Sequence, residues 1–317
     1  MTTFLSLLSS SKPLLTSSAL SIILSLLSIS IFICILMLYC RRKISYQEMK
    51  VSGLEEITQS VIEAVDNASH GIMKIYNSDV VHVKNKNDGS PVTEADKESH
   101  RILVSALEFI DKNIPILSEE GDKQKDNNDL FWLIDPLDGT KEFINRNGEF
   151  TVNVALIENG NPILGVVSAP ALKEKYVGYS DHAYKLSSKG RVDISTRRQS
   201  LNACCITLSK SHKSETDQVF IDICKEKFDS IVEIPTGSSL KLCRVAEGMA
   251  DIYTRLGPTY QWDIAAGQAI VQAAGGVVCD LKGSNLRYEF VSETKNPMFF
   301  CAGDPTFKWL DVFNRLV

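Results

Sequence analysis

Paired metal-binding cysteines are missing from this sequence. Its eight cysteines are Cys34, Cys40, Cys204, Cys205, Cys224, Cys243, Cys279 and Cys301, and none forms a C-x-x-C pair, which argues against a zinc site. They lie within apolar runs, as buried free thiols do, and a reducing compartment is their simplest setting. An excess of positive charge is also missing. With 34 Lys and Arg against 39 Asp and Glu, the formal net charge is −5. No nucleic acid polymer is therefore expected as a partner, although a local basic pocket is not excluded. No internal repeat is visible. Against these absences stand 317 residues, 44% hydrophobic and 23% charged, which is ordinary globular material and enough for two domains.

One further absence is local: no charged residue occurs from Pro13 to Cys40. Within that run, Ala19 to Tyr39 is mostly Leu, Ile and Ser, and about 20 residues suffice to cross a bilayer. The run ends at Cys40-Arg41-Arg42-Lys43, which reads as a stop rather than a signal-peptide cleavage site. Only Lys12 precedes it, so the positive-inside rule places the rest of the chain in the cytoplasm. We therefore expect a single-pass anchor over residues 1–43, in the inner membrane if the source is bacterial. Ser18, Ser21, Ser25 and Ser28 share one helix face, but Ser30 breaks the stripe, and such hydroxyls commonly bond their own helix backbone.

Two parts of a soluble region should follow, over 44–194 and 195–317. In the first, Leu54, Ile57, Val61, Ala64, Val65, Ala68 and Ile72 recur at helical spacing. Lys84 to Ser90 reads as loop, and Pro91 to Asp96 as the opening of a second helix that runs to Ile110. Thr93 and Asp96 fit a capping box, which alone would account for Asp96. Ile114 to Leu117 is strand-like and ends in Ser118-Glu119-Glu120, where a charged loop is the ordinary explanation. Thr151 to Ile157 and Ile163 to Ser168 flank Glu158-Asn159-Gly160-Asn161-Pro162 as a hairpin. Tyr176 to Tyr179 and Ala183 to Leu186 add antiparallel strands. From residue 195 the pattern alternates. Strands are expected at Cys204–Leu208, Ser230–Ile234, Ala250–Thr254, Val277–Cys279 and Met298–Cys301. Helices are expected at Glu215–Lys227, after Gly237-Ser238-Ser239, at Ile264–Ala274 and at Phe307–Leu316. Asp263 reads as the N-cap of the third of these helices.

The chemistry concentrates at Asp135-Pro136-Leu137-Asp138-Gly139-Thr140. The apolar run Phe131 to Ile134 reads as a buried strand, and Pro136, lacking an N–H, should end it. Two carboxylates three positions apart then sit on a tight turn. Close anions repel unless a cation neutralises them, and hard oxygen ligands favour Mg²⁺ or Ca²⁺ over Zn²⁺.

Three motifs occur in order: Trp132 to Thr140, Ser118-Glu119-Glu120 upstream, and Trp262-Asp263 at the start of a late helix. On these, the chain from about residue 52 resembles the lithium-sensitive, magnesium-dependent phosphomonoesterases of the inositol monophosphatase superfamily. Arg146-Asn147-Gly148-Glu149-Phe150-Thr151-Val152-Asn153, Gly237-Ser-Ser-Leu-Lys241 and Val245-Ala-Glu-Gly248 make it most similar to the 3′(2′),5′-bisphosphate nucleotidase branch. The N-terminal apolar run is the main departure.

The resemblance implies a layered α-β-α-β-α sandwich of the inositol monophosphatase and fructose-1,6-bisphosphatase type, to which the transmembrane helix would be added. It also implies roles. Glu119, Asp135 and the carbonyl of Leu137 would hold one Mg²⁺, and Asp135, Asp138 and Asp263 a second. Asp96 and Glu119 would place a third. Thr140 would polarise the attacking water, with Asp96 accepting its proton. The phosphate would lie over Asp138-Gly139-Thr140, and Ser238, Lys241, Arg255 and His212 would meet the rest of the nucleotide.

The implied activity is hydrolysis of the 3′-phosphate of adenosine 3′,5′-bisphosphate to AMP, with the sulfated analogue as a second substrate. The alternatives are an inositol phosphate phosphatase and a catalytically idle membrane scaffold. The scaffold is disfavoured because all five acids are present. No cysteine or histidine stands near these motifs to form a covalent phospho-enzyme.

Overall fold

A computed structural model describes residues 53–78, 83–85, 91–210, 215–292 and 294–313. The expected anchor at Ala19–Tyr39 lies outside these residues, as does His212. Among the described residues no helix is long and apolar enough to cross a membrane.

The chain opens with α1 (53–76), followed by β1 (Val83–Asn85), β2 (Pro91–Thr93), α2 (Glu94–Ile110), β3 (Ile116–Ser118), β4 (Leu130–Asp138) and α3 (Thr140–Ile144). Next come β5 (Thr151–Glu158), β6 (Asn161–Ala169), β7 (Glu174–Tyr179), β8 (His182–Ser187) and β9 (Gly190–Asp193). The rest is β10 (Ala203–Ser209), α4 (Glu215–Lys227), β11 (Ser230–Thr236), α5 (Leu240–Ala246), β12 (Ile252–Arg255), α6 (Ala265–Ala273), β13 (Val277–Asp280), β14 (Phe299–Ala302) and α7 (Trp309–Phe313).

Strands β3 to β9 form one sheet in sequential order, antiparallel except for the β3–β4 pair. The second sheet runs β11-β10-β12-β14-β13, with β10 parallel to both of its neighbours.

Alternation along β4 explains the layering. Trp132 and Ile134 point to one face and Phe131 and Leu133 to the other, as the period of two requires. Trp132 and Ile134 join a buried cluster with Val61, Val65, Leu103 and Leu107 of α1 and α2. Phe131 and Leu133 join a second cluster with α5, α6 and the inner face of the second sheet, including Leu240, Ile270 and Phe299. The outer face of that sheet buries Ile206, Ile252 and Phe300 against Phe220 of α4 and Phe313 of α7. The order is α1/α2, sheet, α5/α6, sheet, α4/α7, which is the expected α-β-α-β-α sandwich.

Two prolines depart from expectation in the same way. Strand β4 does not stop at Asp135 but continues through Pro136 to Asp138. Asp135 pairs with Asn153 and Asp138 with Thr151, so one extra residue is accommodated between them. The missing N–H of Pro136 thus falls in a bulge, where no ladder bond is required. Pro162 likewise lies inside β6 at a second register shift. The hairpin loop is only Asn159-Gly160, both at positive φ, which is the geometry of a tight two-residue turn.

Other differences are local. Val83–Asn85, partly expected as loop, pairs with Pro91–Thr93, and α2 begins only at Glu94. Strand β9 was not expected, and its burial pattern is fully exposed, which removes the hydrophobic signal. The final helix, expected to begin at Phe307, starts at Trp309.

Helix α6 seats unusually close to the first sheet. Gly165 and Gly178 are cross-strand partners on β6 and β7. A Cβ on Gly165 would lie 2.2 Å from the Ala266 carbonyl oxygen, and one on Gly178 2.4 Å from Ile270 Cα. Because the obstructing atoms are backbone, relief requires moving the helix. Gly178→Ala is expected to destabilise the protein by about 1–3 kcal/mol, measurable by urea denaturation. It should also weaken Mg²⁺ binding, because Asp263 leads into this helix.

Candidate active site

The bulge in β4 delivers Asp135 and Asp138 at the end of a buried strand. Asp135 is 1% exposed, and its Oδ1 accepts from the Leu137 N–H at 3.0 Å, which closes the turn from within. Leu137 is buried between the two acids. The Pro136 carbonyl accepts from Ser99 Oγ at 2.7 Å, tying the bulge to α2. Gly139 follows at φ +86, and a Cβ there would lie 2.1 Å from Ser238 Oγ, so both conformation and space demand glycine.

Asp138 is held from the second half of the chain. Its Oδ2 accepts from the Ser239 N–H at 2.7 Å and lies 3.5 Å from Thr151 Oγ1. Its carbonyl lies 3.0 Å from Ser238 Oγ. Ser239 Oγ in turn reaches Asn153 Oδ1 at 2.7 Å and Thr151 Oγ1 at 2.8 Å. Ser238 itself is left-handed at φ +50. The roles of Ser239, Thr151 and Asn153 were missed from sequence. Only the Asn-Gly-Glu-Phe-Thr-Val-Asn run marked them, and it carried no assignment.

Asp96 completes the cap expected of it and reaches a second partner with its other oxygen. Oδ2 accepts from Thr93 N–H at 2.7 Å and Thr93 Oγ1 at 2.6 Å, completing the capping box of α2. Oδ1 accepts from Thr140 Oγ1 at 3.2 Å, across 44 residues of sequence. Burial pushes the Asp96 carboxyl up to about 6; the Thr93 hydrogen bonds oppose this and the Glu120 charge adds to it.

Asp263 corrects an expectation. It does not cap α6, which starts at Ala265. It lies at the end of a 3₁₀ turn, Gln261–Asp263, and its Oδ2 accepts from the Tyr260 N–H at 2.9 Å.

Electrostatics show that these acids converge. Burial drives the Asp135 carboxyl well above the usual carboxylate range, with Glu119, Asp138 and Asp263 adding repulsion. Burial likewise raises Asp263, with Asp138 and Glu119 next in weight. Burial raises Asp138 as well, partly offset by Lys241 and the Ser239 N–H. Glu119 is the acid whose charge weighs most on Asp135 after burial, so the two carboxyl groups resist being ionised together. Among the described residues no three such side chains are already closed around one point. A divalent cation is the other way to reconcile these acids, and an all-oxygen donor set suits Mg²⁺.

Cations line the adjoining wall. Lys241 is buried; its Nζ donates to the Ser238 carbonyl at 2.6 Å and lies 5.5 Å from the Tyr253 ring centroid. Burial lowers its proton affinity, Asp138 restores part of it, and Arg255 opposes. Arg255 donates Nη2 to the Pro258 carbonyl at 2.9 Å, while its buried Nε has no hydrogen-bond partner among the described residues.

A model of the inositol monophosphatase family matches residues 53–299. The chain belongs to the inositol monophosphatase family. Members of this family are metal-dependent phosphatases, generally using Mg²⁺. Within the family, the chain is 41% identical over 245 residues to the 3′(2′),5′-bisphosphate nucleotidase CysQ of Salmonella typhimurium, covering 76% of this chain and 97% of the relative. It is 40% identical over 258 residues to the CysQ nucleotidase of Buchnera aphidicola, covering 79% and 94%. Among solved structures, CysQ from Bacteroides thetaiotaomicron superposes with a TM-score of 0.69 at 35% identity, covering 78% of this chain and 97% of that one. An IMPase from Thermotoga maritima, at 26% identity, gives 0.66. The inositol monophosphatase fold thus accounts for both sheets and the helical layer between them.

Proposed function

We propose that this chain is a Mg²⁺-dependent 3′(2′),5′-bisphosphate nucleotidase. It hydrolyses the 3′-phosphate of adenosine 3′,5′-bisphosphate to AMP and phosphate, with the 5′-sulfated analogue as a second substrate. The observation that carries this reading is the 41% identity to a CysQ nucleotidase over 97% of that protein's length. The site geometry supports it.

Glu119, Asp135, Asp138, Asp263 and the Leu137 carbonyl would hold Mg²⁺, as two ions, with Asp96 and Glu119 serving a third. Bound there, Mg²⁺ offsets the negative charge of the ester and acidifies a water for attack on phosphorus. The protein's own groups do the rest. Thr140 Oγ1, 3.2 Å from Asp96 Oδ1, orients the water and relays its proton. Asp96, pushed up to about 6, is ionised at neutral pH yet basic enough to accept that proton. The scissile phosphate lies over Asp138-Gly139-Thr140 and their backbone N–H groups. Lys241 and Arg255 bind the second phosphate, where a charge-assisted hydrogen bond is strong; His212, outside the described residues, is assigned to the nucleoside by the family resemblance alone. Ser238 serves mainly by shape, since its hydroxyl faces the Asp138 and Glu149 carbonyls.

Purified protein given adenosine 3′,5′-bisphosphate should release phosphate and leave AMP with Mg²⁺ present, and stop when EDTA is added. Failure to release phosphate in Mg²⁺ overturns the reading.

The uncharged run at Ala19–Tyr39 and the basic cluster after it support single-pass anchoring with the enzyme facing the cytoplasm. Protease should then leave the C-terminal portion intact in sealed right-side-out vesicles and degrade it in inverted ones. The reverse pattern refutes that orientation.

A further inference from the structure

We propose that Lys210 reads the second phosphate of the substrate and that Glu149 is the positioning residue that holds it there. This rests on the nucleotidase reading above.

The carboxyl ends of two parallel strands meet at this point. Ser209 at the end of β10 is in register with Thr236 at the end of β11, so Lys210 and Gly237 leave the sheet side by side. Ligands in open α/β sheets bind outside the carboxyl ends of strands. Glu149 reaches these ends from the segment that follows the Asp135–Thr140 turn. Its Oε1 accepts from Lys210 Nζ at 3.0 Å and its Oε2 from the Gly237 N–H at 2.7 Å. Its carbonyl lies 2.8 Å from Ser238 Oγ, and its own N–H donates to Asn147 Oδ1 at 2.9 Å. A Cβ on Gly237 would lie 2.8 Å from Glu149 Cβ and 2.8 Å from its carbonyl oxygen, so the two segments are in direct contact.

The burial of the pair is uneven. The Glu149 side chain is 19% exposed and that of Lys210 44%. A largely buried, anchored acid therefore carries a cation that remains accessible. Lys241 bonds the carbonyl of Ser238, the residue after Gly237, so Lys210 and Lys241 both attach to one glycine-serine turn, Lys210 through Glu149. The same turn grips Asp138 through the Ser239 N–H at 2.7 Å. A dianion bound over the metal-bearing turn thus has a second cationic group beyond the wall lined by Lys241 and Arg255. A monophosphate ester offers that group nothing to hold. Glu149 fixes its place by a carboxylate that the Gly237 N–H, just past the end of β11, already orients.

The test compares adenosine 3′,5′-bisphosphate with 3′-AMP in the full chain with Mg²⁺. Wild-type hydrolysis of the bisphosphate is measured first, and its absence would overturn the nucleotidase reading instead of this one. Given that activity, Lys210→Met should lower the ratio of kcat/KM for the bisphosphate over 3′-AMP by roughly ten- to a hundredfold, through KM for the bisphosphate. Glu149→Ala should lower the same ratio. Glu149→Gln, which keeps an acceptor for Gly237, should recover part of it. The double variant Lys210→Met/Glu149→Ala should lose no more ratio than the larger single loss, because both act through one cation. An unchanged ratio in Lys210→Met overturns the proposal. So do losses that multiply in the double variant, or a Glu149→Ala loss that is equal on both substrates. If Glu149→Ala fails to fold, Lys210→Met and Glu149→Gln decide the matter by the same ratio.

Discussion

Asp135→Asn is expected to lower kcat by roughly a thousandfold or more, since metal-assisted charge stabilisation is worth several kcal/mol. The same change should stabilise the Mg²⁺-free protein. Asp135 is fully buried, and it faces Glu119, Asp138 and Asp263. An amide of the same shape removes a buried group that is costly to ionise beside the other acids, while keeping an acceptor for the Leu137 N–H, now 3.0 Å away. Lost activity with gained stability marks a group kept for chemistry at a cost to the fold. Steady-state kinetics and thermal melting in EDTA check the two halves of this expectation. A variant that is merely unfolded, or one with near wild-type turnover, would contradict it.

The second large effect is the coupling of Mg²⁺, pH and stability. Asp135, Asp138 and Asp263 all hold their protons more tightly when folded than when unfolded, chiefly through burial. The folded protein therefore binds more protons than the unfolded chain above the ordinary carboxylate range. That contribution to stability is complete in acid and is lost as pH rises through the folded values. Asp96, pushed up to about 6, acts with the same sign. In EDTA the site's contribution should thus fall from pH 5 to pH 8.

Mg²⁺ competes for the deprotonated groups, so its stabilising effect should grow over the same interval. At 100 times Kd a ligand adds about 2.7 kcal/mol, or roughly 4–5 °C in Tm for a chain of this size. Melting curves with EDTA and with Mg²⁺ at the two pH values test this. An equal Mg²⁺ shift at both would show that these acids are not the ligands.

Much of the fold was legible because its elements carry clean periodic signals. Phe131 to Ile134 alternates across two buried faces, and Leu103 and Leu107 mark the inner stripe of α2. What failed was local. Pro136 was read as a strand stop, because a bulge that absorbs the missing N–H depends on the partner strand and leaves no mark in the sequence. Strand β9 has no buried side chain to announce it.

The acids that the structure crowds around Asp135 were candidates from sequence, but taken singly several of them also had an ordinary explanation. Only the fold shows that Asp96 serves its cap with one oxygen and Thr140 with the other. Ser239 and Thr151 were invisible as functional groups because they meet Asp138 across 101 and 13 residues, and Asn153 acts one step further out, on Ser239 across 86 residues. Glu149 lay in a recognised run, yet its two partners come from strands that follow it by 61 and 88 residues.

Substrate choice is tested most directly by kcat/KM for adenosine 3′,5′-bisphosphate against inositol 1-phosphate and inositol 1,4-bisphosphate, each in saturating Mg²⁺. A site with Lys241, Arg255 and Lys210 placed for a second, non-scissile phosphate should favour the nucleotide by at least about a hundredfold, equivalent to two charge-assisted contacts. Equal or greater kcat/KM for either inositol phosphate would contradict the nucleotidase assignment while leaving the metal-dependent phosphatase in place.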